Sequence, residues 1–136
     1  MRRAARERAR LPSKLALWGG DRDAAAVEGA RENLAAAGLV EHVRLEVAEA
    51  LDLAPRRGWN AWIVSNLPYG ERVGGAARLA PLFRSFGALL RERCAGYRAA
   101  LLSGDPALSS ALALPAPART PLKNGGLDCE LLQAQL

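Results

Sequence analysis

Apolar positions along this chain recur in two rhythms, and the alternation between them predicts its elements. Apolar runs of strand length occur at Lys14–Gly20, Ala61–Val64 and Tyr97–Leu102, while Val43-Arg44-Leu45-Glu46-Val47 alternates with a period of two. Continuous runs fit strands buried on both faces; alternation fits a strand with one wet face. Between the strands, apolar residues fall three and four apart. Residues 24–37 place Val27, Ala30, Leu34 and Ala37 on one helical face, with Asp23 as the starting cap and Gly38 as the stop. A longer helix is expected over about Ala77–Cys94, with Leu79, Leu82, Phe83, Phe86, Leu89 and Leu90 as its core face. Arg78, Arg84, Arg91 and Arg93 would form its solvent side. Gly104-Asp105-Pro106 predicts another helix start, and strands near Arg119–Leu122 and Asp128–Gln135, joined at Asn124-Gly125-Gly126, predict a terminal antiparallel hairpin. Strands alternating with amphipathic helices point to a three-layer α/β fold. Its central strand is expected to be Asn60–Ser65, flanked by Leu15–Gly20 and Tyr97–Leu102.

At 136 residues, half of them hydrophobic, the chain is long enough to bury one real core. No apolar run approaches the roughly 18 residues that span a bilayer, and the arginine-rich start lacks the apolar centre of a secretory signal. A cytoplasmic protein without a membrane partner is expected. Cys94 and Cys129 stand far apart, without CxxC or Cys/His ligand spacing, so neither a metal site nor a disulfide framework is indicated. The formal charge is +5, yet residues 1–12 hold five arginines and one glutamate, leaving 14 basic and 13 acidic residues for the remainder. Residues 1–12 therefore read as a basic helical segment with a solvated face, and residues 13–136 as a nearly neutral domain. Bulk charge lends RNA binding only weak support.

The chemistry concentrates where one apolar run stops. Ala61-Trp62-Ile63-Val64-Ser65 gives way to Asn66-Leu67-Pro68-Tyr69-Gly70, so a strand delivers an amide, a proline and an aromatic ring to its C-terminal end. Open α/β sheets carry their sites at that edge. Leu67 is pushed towards extended geometry by the proline after it, and Pro68 fixes its own φ, which makes a stiff turn rich in acceptors. Asp21 stands at the corresponding end of the Lys14–Gly20 run, where a carboxylate can accept from both hydroxyls of a ribose or serve as a turn residue.

Asn66-Leu67-Pro68-Tyr69 resembles the (N/D)-(P/L)-P-(Y/F) motif of S-adenosylmethionine-dependent methyltransferases that modify exocyclic or amide nitrogens. The longer run Ser65–Arg72, together with Gly20-Asp21-Arg22-Asp23 and Lys123-Asn124-Gly125-Gly126-Leu127-Asp128-Cys129, resembles the THUMP-linked RNA guanine-N2 methyltransferases acting on large-subunit ribosomal RNA. That resemblance implies a Rossmann-like class I methyltransferase fold with S-adenosyl-L-methionine as cofactor and ribosomal RNA as partner. It puts the ribose-binding acid at Asp21 and the adenine contact at Glu49 and Ala50. It gives the amine to Asn66 and the carbonyls of Leu67 and Pro68, and the flipped base to the ring of Tyr69. Phenylalanine would keep that stacking face. The first strand and glycine-rich loop of such folds, and the THUMP module, have no counterpart in these 136 residues. In the intact family fold that first strand would lie between the Leu15 and Asn60 strands, so a gap or poorly satisfied sheet edge is expected there. The chain thus reads as the C-terminal part of a catalytic domain, expected to bind cofactor weakly alone. Two rival readings remain open: a non-catalytic RNA-binding remnant, and an N-methyltransferase acting on DNA adenine or protein glutamine.

Overall fold

The computed structural model describes residues 17–69 and 75–136. The basic segment 1–12, the start of the first apolar run at residues 14–16, and the polar stretch 70–74 lie outside the described residues. The chain divides into two compact units, Met1–Asp52 and Leu53–Leu136.

In the first unit, β1 (Leu17–Asp21) pairs in parallel with β2 (Val43–Val47), Leu17 opposite Val43 and Asp21 opposite Val47. A parallel pair needs a crossover, and α1 (Ala24–Ala37) supplies it. The Asp23 carboxylate accepts from the Ala25 backbone N–H at 2.9 Å, and Gly38, at φ 72°, ends the helix in the left-handed conformation. Of the expected α1 face, Val27 is buried, Ala30 and Leu34 are half-buried and Ala37 is exposed. The expected burial of β1 is corrected: Leu17 and Trp18 are exposed by 50 % and 46 %. One helix cannot cover both faces of a two-stranded sheet.

The second unit holds a four-stranded sheet in the order β3-β4-β6-β5. Here β3 (Trp62–Asn66) and β4 (Arg98–Ser103) run parallel, and the hairpin of β5 (Ala118–Asn124) and β6 (Leu127–Gln135) adds antiparallel strands, β6 against β4. The hairpin turns on Gly125 and Gly126 at φ 57° and 88°, the backbone that a two-residue turn of matching twist requires. Crossing from β3 to β4, α2 (Ala76–Arg93) buries Leu79, Phe83, Phe86, Leu89 and Leu90, with Leu82 partly buried beside them. These side chains pack with Ala99, Leu101, Leu108, Leu112 and Leu132 in one apolar cluster. A short helix, α3 (Pro106–Ala111), begins at Asp105, whose carboxylate accepts from the N–H groups of Ala107 and Leu108.

One expectation is met here and two change. The Asn60–Ser65 strand is realised as Trp62–Asn66 and forms an edge of its sheet, with β1 paired only to β2 and nothing among the described residues paired with the outer side of β3, which is the open edge expected beside a missing first strand. Its apolar run is covered on one face alone: Ile63 joins the core, while Trp62 and Val64 are exposed by 51 % and 75 %. Arg91 is not simply solvated, since its guanidinium donates to the carbonyls of Leu112 (2.6 Å) and Ala113 (2.9 Å) and closes the end of α3.

Candidate active site

Strand pairing accounts for the placement of Asn66. The β3-β4 register sets Asn66 opposite Leu102, and the ladder continues one residue further, with the Leu67 N–H donating to the Leu102 carbonyl at 2.9 Å. Leu67 is buried at 7 % exposure in the core of the second unit, so the second residue of the motif anchors the turn. Pro68 and Tyr69 are half-buried, and Asn66 is exposed at the C-terminal end of the strand. Among the described residues no backbone N–H is bonded to the carbonyl of Leu67 or Pro68. The turn thus holds three acceptor oxygens on a fixed backbone, an arrangement suited to a substrate with N–H groups to donate.

Tyr69 folds back over this turn. Its hydroxyl donates to Asn66 Oδ1 at 2.9 Å and accepts from Asn124 Nδ2 at 3.0 Å. Its ring lies against Gly104, where an added Cβ would come within 3.0 Å of Tyr69 Cδ1 and 3.2 Å of Cγ. Gly104 therefore leaves the ring its seat. Sequence reasoning gave Gly104 to a helix start and Asn124 to a hairpin; neither contact had a local signal, since Asn124 lies 55 residues from Tyr69.

In the first unit, Asp21 ends β1, and Glu49 and Ala50 follow the end of β2, at the C-terminal edge of the parallel pair. The Ala48 N–H donates to the Asp21 carbonyl at 3.0 Å, which holds the two strand ends together. Asp21 Oδ1 accepts from the Asp23 N–H at 2.9 Å, so one carboxylate oxygen serves the turn. Among the described residues the other has no hydrogen-bond partner, so both readings of Asp21 are chemically compatible. Glu49 and Ala50 are exposed, and the Glu49 carbonyl accepts from Asp52 N–H as the chain enters a single turn of 3-10 helix. Two carboxylates at a strand edge can accept from hydroxyl and amino groups, which fits the sugar and base of a nucleoside. Among the described residues no cluster of His, Cys, Asp and Glu could hold a metal ion, and no helix is long and apolar enough to cross a membrane.

The chain is similar to known proteins over nearly its whole length. Residues 1–133 match the family described as "RMKL-like, methyltransferase domain". The chain is 39 % identical over 130 residues to a ribosomal RNA large subunit methyltransferase K/L of Syntrophotalea carbinolica, covering 93 % of this chain and 18 % of that protein. A protein of the same name from Pseudomonas putida is 36 % identical over 124 residues, covering 88 % and 17 %. The chain therefore spans less than a fifth of the length of these relatives. Among solved structures, SMU.472 complexed with SAH aligns over 98 % of this chain and 35 % of its own, at 28 % identity and a TM-score of 0.87. TrmN from Thermus thermophilus, also 28 % identical, aligns over 88 % of this chain and 36 % of its own at a TM-score of 0.65.

Proposed function

Because the chain belongs to the RMKL-like methyltransferase domain family, we propose that it is part of a cytoplasmic S-adenosylmethionine-dependent enzyme that methylates the exocyclic N2 of guanine in large-subunit ribosomal RNA. The observation that carries the reading is Asn66 at the exposed end of β3, followed by a turn anchored through Leu67 and closed by Tyr69. SMU.472, of the same fold, was solved with SAH, the demethylated form of the proposed cofactor.

An exocyclic amine is a poor nucleophile, because its lone pair is delocalised into the base. Asn66 Oδ1 and the carbonyl of Leu67 or Pro68 each accept one N–H, which draws the nitrogen towards tetrahedral geometry and aims its lone pair. The cofactor, when bound, supplies a sulfonium methyl with a neutral thioether as leaving group, and the methylated nitrogen gives up one proton to solvent. Asp21 would hold the ribose hydroxyls, and Glu49 with the Ala50 backbone would contact the adenine. Tyr69 offers a face to a base turned out of its stack, as enzymes that act on a base require. A THUMP module elsewhere in the protein would grip the RNA.

Nucleoside mass spectrometry of ribosomal RNA from cells with and without the gene tests the assignment. Loss of one N2-methylguanosine from the large-subunit RNA is the expected result. An unchanged RNA, with loss of a methylated adenine in DNA or of a methylated protein amide, would transfer the chain to a different substrate class.

A further inference from the structure

We propose that Asn124 is a positioning residue for methyl transfer, acting through the Tyr69 hydroxyl on the side-chain amide of Asn66. The inference rests on the reading of Asn66 as acceptor of the substrate amine. A phenol has one proton to give. With Asn124 Nδ2 donating to the Tyr69 oxygen at 3.0 Å, that proton is directed to Asn66 Oδ1 at 2.9 Å. A carboxamide can turn either its oxygen or its nitrogen to a neighbour, and only the oxygen suits an amine substrate. Donation from Tyr69 selects the oxygen, fixes the rotamer, and leaves a second lone pair on Oδ1 for the substrate N–H. The direction of the chain of bonds therefore starts at Asn124.

The surrounding structure fixes both ends of this relay. Asn124 is the last residue of β5, one step before the Gly125-Gly126 turn, and the neighbouring pair Lys123 and Asp128 face each other across the hairpin, joined by an ion pair of 2.7 Å. The Tyr69 ring is seated on Gly104, so its hydroxyl has a defined reach. Asn66 and Asn124 are exposed, so substitution at position 124 removes an orienting bond without opening the core. A hairpin whose sequence shows only turn chemistry thus completes the amide end of the motif.

Single-turnover methyl transfer to ribosomal RNA by the full-length enzyme that contains this sequence tests the relay, with cofactor affinity measured in parallel. Asn124→Ala should slow transfer roughly 5- to 10-fold, the scale of one neutral hydrogen bond, with cofactor affinity and RNA KM unchanged. Asn124→Asp should be slower still, because a carboxylate would draw the phenol proton away from Asn66. Tyr69→Phe combined with Asn124→Ala should be no slower than Tyr69→Phe alone, since both changes break one relay. Multiplying effects in the double variant, or an Asn124→Asp enzyme faster than Asn124→Ala, would overturn the proposal. If Asn66→Ala is crippled while Asn124→Ala is normal, the relay alone fails. If the wild-type enzyme transfers no methyl group to RNA, the functional reading fails and the relay falls with it.

Discussion

Tyr69 illustrates what a single residue can hide. The family resemblance implies only a stacking face for which phenylalanine would serve, whereas the hydroxyl bonds to Asn66 and to Asn124, 55 positions away from Tyr69. The strand end and turn at Asn66, Leu67 and Pro68 were legible because a strand run, a proline and an aromatic follow one another locally. Asn124 and Gly104 were not, because pairing in space has no local signature. Cys94 is simpler: it is fully buried in the core of the second unit. Burial pushes its pKa above the ordinary thiol value, against a smaller downward pull from Arg93. The folded chain thus holds that proton more tightly than the unfolded chain does, so this contribution to stability is fully present below the unfolded thiol pKa and is lost as pH rises through the folded one. Thermal unfolding followed from neutral to alkaline pH should show a falling midpoint, and Cys94→Ala should flatten that fall. An identical alkaline slope in the variant would contradict the assignment.

Element boundaries followed the sequence closely where caps were explicit. Asp23 and Gly38 bracket α1 and Asp105 starts α3, each with the hydrogen bonds or the positive φ that its residue type favours. The burial of strands was harder to read. A run such as Trp62-Ile63-Val64 looks the same whether both faces are covered or one, and here its alternate members are exposed. Contacts between helices were equally silent: the periodicity of α2 defines a core face, but not that Gly87 lies on it against the backbone of Leu112. A Cβ built at Gly87 would run into the Leu112 carbonyl, which also accepts from Arg91. Backbone cannot yield as a flexible side chain can, so Gly87→Ala should destabilise the second unit by at least ~3 kcal/mol, the upper end of typical overpacking. Chemical denaturation would measure this; a change below ~1 kcal/mol would mean that α2 and α3 separate at little cost.

Across the whole molecule the two units differ in what holds them. Every member of the hydrophobic cluster belongs to Leu53–Leu136, while Val27 is the one buried apolar residue among the described residues of the first unit. Two strands and a helix with so little apolar burial offset chain entropy poorly. Amides of β1, β2 and α1 are therefore expected to exchange with deuterium much faster than those of β4 and β6. Equal protection across both units would show that the first is stabilised by more than its own contacts. The sequence foretold the neighbours β3-β4 and the β5-β6 hairpin, but not that β1 and β2 form a sheet of their own. The outer side of β3, with Trp62 and Val64 exposed, is an apolar strand edge of the kind that pairs or aggregates when left uncovered.

The account as a whole depends on Asn66 acting on the substrate amine at the transition state, and a single-turnover comparison of wild-type and Asn66→Ala enzyme on ribosomal RNA addresses that role directly. An interaction made mainly in the transition state should be lost from the rate and not from cofactor binding. The predicted result is a methyl-transfer rate lower by roughly 100-fold, the cost of removing one preorganised hydrogen-bonding partner, with S-adenosylmethionine affinity unchanged. A rate close to that of the wild type would contradict the mechanism.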